Sequence, residues 1–80
     1  MAQEKLLERI TVDSHVLVGK PVIRGLRISV EQILVALANN VPTEEILEEY
    51  PELEPEDIQA VLMYAAALVA EERVYQVRIS

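Results

Sequence analysis

"SVEQILVALANNVPTEEILEEYPELEPEDIQAVLMYAAALVA", residues 29–70, decides the fold. Its first helical pattern opens on Ser29 with Gln32 three residues later, the Ser-x-x-Gln form of a capping box. Val30, Ile33, Leu34, Leu37 and Ala38 follow at the spacing of one helix face. Asn39 and Asn40 tolerate the left-handed position that ends a helix, and Pro42 forbids continuation. The second pattern has Thr43 as its expected N-cap and Glu44 and Glu45 in the first turn, where carboxylates favour the helix dipole. Ile46, Leu47 and Tyr50 form its apolar side, Pro51 stops it, and Leu53 is expected to plug the core from the turn. The third pattern starts at Pro55, a good first-turn residue. Its expected core stripe is Ile58, Val61, Leu62, Ala65, Leu68 and Val69.

Outward from this stretch, the chain changes character. Residues 10–28 read as extended, with short β-branched runs that make two strands around a Gly-containing bend. Gly19 and Gly25 permit positive φ, and Pro21 suits an edge or a strand start. The segment "GKPVIRGLRIS", residues 19–29, gathers both glycines and three of the seven basic residues, Lys20, Arg24 and Arg27. The tail "RVYQVRIS", residues 73–80, alternates weakly and reads as a strand or a frayed end. The expectation is a single domain over residues 1–80: an N-terminal extended segment (1–28), a three-helix core (29–72) and the tail. The fold class is mainly α, a short β segment followed by a three-helix bundle of helix-turn-helix type.

Eighty residues are few for a self-sufficient core, and oligomerisation or a partner is a usual support at that size. The chain has no cysteine and one histidine, so thiolate, disulfide and zinc-thiolate chemistry are excluded. No metal-ligand spacing surrounds His15. Asp13, Ser14 and His15 are neighbours in sequence, but triad roles need side chains that converge in space. "GKPVIRG" lacks the spacing and the Lys-Ser/Thr ending of a phosphate loop. The expectation is therefore no enzyme, no cofactor and no metal. From Ala60 the third helix is apolar all round, as buried helices are. Either the N-terminal segment folds over it or a second chain covers it, with Met63, Tyr64 and Ala67 as the contact residues. The apolar run 60–70 is too short to span a bilayer. The start "MAQEKLLERI" has no basic region followed by an apolar run. A cytoplasmic protein is expected.

The formal net charge is −7. No basic residue occurs between Arg27 and Arg73, while Glu44, Glu45, Glu48, Glu49, Glu52, Glu54, Glu56 and Asp57 form an acidic block. That block is a solvated helix face or a surface for a basic partner. A helix-turn-helix reader puts polar or basic groups at the start of its second helix. Here Glu54, Glu56 and Asp57 stand there, so any nucleic-acid contact falls to Lys20, Arg24 and Arg27. The alternative for these cations is local: pairing with Glu31 or with the acidic block, stitching the β segment to the helices.

The paired blocks "GKPVIRG-x-RI" and "EEIL-x-x-YP-x-L-x-x-EDI-x-A" resemble the small prokaryotic family known as domain of unknown function 433, over roughly residues 9–72. The resemblance implies a homeodomain-like or winged-helix-like three-helix core behind a short β segment. It also implies likeness to VapB-type antitoxins, which are paired with a toxin of PIN-like nuclease fold. On that reading Arg24 or Arg27 enters the nuclease's carboxylate cluster and competes with its metal. A homodimeric DNA-binding autoregulator and an interaction module without a nucleic-acid role are the other readings. The family usually carries Thr at Leu26, Gly at Asn40 and often Thr at Glu54.

Overall fold

The computed structural model describes residues 2–72. The elements are α1 (Ala2–Leu7), β1 (Ile10–Thr11), β2 (Val22–Ile23), α2 (Val30–Ala38), α3 (Thr43–Glu49) and α4 (Pro55–Glu72). The chain is mainly helical, with a two-stranded antiparallel ribbon ahead of the bundle. Ile10 pairs with Ile23 and Thr11 with Val22. The tail 73–80, read as a strand or a frayed end, lies outside the described residues.

The expectation of an extended segment over 1–28 is corrected at its start. Gln3, Glu4, Lys5, Leu6 and Leu7 are all good helix formers, and α1 packs along α4. Between the strands, Leu17 (φ 50), Val18 (φ 56) and Gly19 (φ 78) form a left-handed turn. The Gly19 N–H donates to the Val16 carbonyl (3.2 Å) and the Lys20 N–H to that of Leu17 (3.1 Å).

The expected capping box at α2 is present. The Gln32 N–H donates to the Ser29 hydroxyl at 2.9 Å, and the Ser29 N–H donates to the Gln32 side-chain oxygen at 3.0 Å. Asn40 takes the left-handed position after the helix (φ 65). The start of α3 differs by one residue. Pro42, extended at φ −65 and ψ 149, is the N-cap, and Thr43 is the first helical residue without a side-chain cap. The Pro42 carbonyl instead accepts from the Glu45 and Ile46 N–H groups.

The core joins Ile23 and Ile28 of the β region to Val30, Ile33, Ile46, Leu53, Ile58 and Val61. Leu53 plugs the α3–α4 turn as expected. Leu26 packs against this cluster. The expected stripe on α4 is corrected in its second half: Leu62 (49% exposed), Leu68 (47%) and Val69 (68%) lie at the surface. Helix length is the reason. At 1.5 Å per residue α4 runs about 27 Å, whereas α2 and α3 run about 14 and 10 Å. The two short helices bury the first turns of α4, around Ile58, Ala60 and Val61, and then end.

Candidate functional site

The basic residues of the β region do not converge on one surface. Arg24 and Gly25 sit side by side at positive φ (49 and 72), and the Leu26 N–H donates to the Ile23 carbonyl at 2.8 Å. That is the pattern of a type I′ turn, in which Asn-Gly is the favoured pair. Arginine has a Cβ and is strained at this φ. Its side chain supplies the compensation.

Arg24 grips Asp57 with two hydrogen bonds, Nε to Oδ1 at 3.1 Å and Nη2 to Oδ2 at 2.9 Å. Its Nη2 also donates to the Glu52 carbonyl at 2.7 Å. Arg9, at the end of α1, donates through Nη1 to Asp57 Oδ1 at 3.0 Å and to Glu54 Oε1 at 2.7 Å. The Glu54 N–H donates to Asp57 Oδ2 at 2.8 Å. Asp57 is the third residue of α4, so this last contact caps the helix from inside, as the third residue of a capping box does. Each carboxylate oxygen accepts two donors, which saturates an ionised Asp.

The Asp57 side chain has no exposed surface, while its arginine cover is about a third exposed (28% for Arg9, 35% for Arg24). Burial pushes the carboxyl up, the largest single influence. Arg24, the Glu54 N–H and Arg9 together outweigh it and hold the group below its ordinary value of 3.8. Reciprocally, hydrogen bonds from Arg9 to Glu54 and Asp57, and from Arg24 to Asp57, raise both guanidinium pKa values. The cluster is a stitch between the ribbon and the α3–α4 turn. Its carboxylate has no lone pair left for a substrate proton.

Of the three cations singled out in the sequence, Arg24 is thus engaged internally. Lys20 pairs with Glu31 at 3.1 Å across an exposed surface. Arg27 is exposed and makes no hydrogen bond or ion pair among the described residues. Asp13, Ser14 and His15 are also exposed; Asp13 Oδ1 accepts from the His15 N–H at 2.8 Å and lies 3.2 Å from its Nδ1. No group of three or more His, Cys, Asp or Glu among the described residues is placed to hold a metal ion. No described helix is long and apolar enough to cross a membrane.

The three proposed contact residues of α4 part company. Met63 lines a shallow groove with Leu6 of α1, Leu62 and Ala66. Tyr64 lines a different groove, against α2, and Ala67 is exposed. The N-terminal segment therefore covers one side of α4 and leaves others open. Sequence reasoning missed Arg9 and the partnership of Asp57 with both arginines. The one local signal was the place of Asp57, three residues after the residue before Pro55.

Comparison with known proteins adds one result. The profile of one family, described as protein of unknown function (DUF433), matches residues 10–65. No curated protein and no solved structure matches. Arg24 and Asp57 lie inside the matched span and Arg9 immediately before it. On a match that takes in most of its length, the chain belongs to the DUF433 family.

Proposed function

We propose that this chain is a non-catalytic binding protein of the antitoxin type, whose target is a nuclease of PIN-like fold. The observation that carries the reading is the second half of α4, which leaves the bundle with Leu62, Leu68 and Val69 exposed. Exposed apolar residues on successive helix faces suit a helix laid into a partner's groove. The side formed by Leu62, Ala66, Ala67 and Ala70 is the docking helix face. Arg27 is the arginine that enters the nuclease's carboxylate cluster and competes with its divalent metal. Arg24 positions the bend that carries Arg27.

A DNA-binding role draws less support. Two of its three candidate cations are already paired, with Glu31 and Asp57. One free arginine would give a salt-dependence slope of only about −1.

The test is purification of the tagged chain from its host, identification of any small nuclease retained, and an RNA-cleavage assay with the recovered pair. Wild type should suppress cleavage. Arg27→Glu should lose inhibition by tenfold or more with unchanged far-UV circular dichroism, and Leu62→Asp should weaken retention. Full inhibition by Arg27→Glu would remove the arginine from the mechanism. A chain that retains no nuclease would remove the antitoxin reading.

A further inference from the structure

Two apolar grooves lie side by side on the face away from the acidic block. One, about 620 Å³, is lined by Leu17, Val18 and Val35. The other, about 340 Å³, lies between α2 and α4 and is lined by Leu34, Tyr64 and Leu68. Lys20, Ser29 and Glu31 line both, so the Lys20–Glu31 ion pair marks the boundary between them.

Val18 is the odd residue on this face. It is β-branched, sits at φ 56 and ψ 40, and is 91% exposed. A β-branched residue in the left-handed region is an outlier. Such strain persists where the surroundings over-determine it and clusters at functional positions. Nothing inside the chain rewards an apolar side chain there, since it faces solvent.

We infer that this face is the contact between two copies of the chain, related by a two-fold axis that crosses the boundary between Lys20 and Glu31. Charge selects a second copy as the occupant. A chain of net charge −7 repels itself over most of its surface. This face carries one cation and one anion, and none of Glu44, Glu45, Glu48, Glu49, Glu52, Glu54 or Glu56 lines either groove. The nearest further carboxylate along α4, Glu71, lies one turn past Leu68. A two-fold contact is self-complementary by construction. The axis sets Lys20 against Glu31 of the second copy, and Glu31 against its Lys20. It also lays each apolar groove against its own counterpart, so Val18 and Val35 meet Val35 and Val18. The patch is smaller than the roughly 800 Å² per partner of a standard interface, which places the dimer in the weak, reversible class, on the order of tens of micromolar. The face is separate from the Leu62–Ala66 side of α4, and its contact does not depend on the antitoxin reading.

Sedimentation velocity over a concentration series tests this with a charge exchange in trans. Lys20→Glu and Glu31→Lys should each be monomeric at concentrations where wild type is half dimeric. Their equimolar mixture should regain association, because Glu at 20 faces Lys at 31 in both directions across the heterodimer. Glu31→Lys alone is the sharper arm: it lowers the net negative charge, so repulsion between whole chains would make it associate better than wild type, and the local pairing makes it associate worse. Val18→Gly should weaken association about tenfold while raising the Tm, since glycine accepts this φ. A wild type that stays monomeric at about 1 mM, or a mixture no more associated than its components, overturns the proposal.

Discussion

Removing the Asp57 carboxylate should cost this small protein a large share of its stability. Breaking a buried, hydrogen-bonded ion pair costs about 3–5 kcal/mol when the surviving charge is also buried. Here the survivors are Arg9 and Arg24, about a third exposed, and they can turn toward water. Solvent screening lowers the figure accordingly. The Glu54 N–H loses its cap, which is worth about 1 kcal/mol. The expected loss for Asp57→Ala is about 2–3 kcal/mol, against a total of about 5 kcal/mol at the low end for natural domains. Asp57→Asn should lose a similar amount, because it keeps the size but sets an NH₂ among donors. The assay is urea unfolding followed by circular dichroism at low concentration. With a slope near 1 kcal/mol per molar urea, the midpoint should fall by about 2–3 M. A double-mutant cycle with Arg24→Ala should return a coupling of at least about 1 kcal/mol. If both Asp57 variants unfold within about 0.5 kcal/mol of wild type, the cluster is ornamental and the reasoning fails.

The same carboxylate sets an acid limit. Its native pKa lies below its ordinary value of 3.8, so its contribution is present above that value and disappears as pH falls through the lowered native one. Stability measured from pH 6 downward should drop through this window in wild type and more shallowly in Asp57→Asn. Ser29→Ala removes the hydroxyl end of the α2 capping box and should cost about 1 kcal/mol in the same unfolding assay. Gly25→Ala should cost about 1 kcal/mol through backbone strain alone, because φ is 72 and no atom lies within 4 Å of the added methyl. A larger loss there would point to a clash that the structure does not contain.

What the sequence made legible was local. The Ser29–Gln32 box, the Asn40 terminus, the Pro55 start and the Leu53 plug are each written within a few neighbouring residues, and each appears in the structure. Thr43 missed by one residue because Pro42, already extended, took the cap position. The exposure of Leu62, Leu68 and Val69 was not legible, because α4's own periodicity does not state how short α2 and α3 are. The candidate site divides in the same way. Pairing of the basic segment with Glu31 or the acidic block was an open alternative, and the structure shows it for Lys20 and Arg24. Which carboxylate takes Arg24 depends on a fold that joins residues 33 apart, and a periodic pattern carries no such information. Val18 shows the opposite limit: its side chain reads as one more strand residue, and only the backbone reveals the left-handed turn.

The Arg24–Asp57 contact also fixes an order of events during synthesis. Strands of two residues each cannot hold a hairpin by themselves. The turn at Arg24 lacks the Asn-Gly pair that would nucleate it, and its stabilising partner is 33 residues further along the chain. At about 5–20 residues per second, Arg24 waits roughly 2–7 s for Asp57 to be made. Arg9 waits longer, across 48 residues. Through that interval the nascent N-terminal third is a basic, unfastened segment. It takes its final shape only after the acidic helices that neutralise it have emerged.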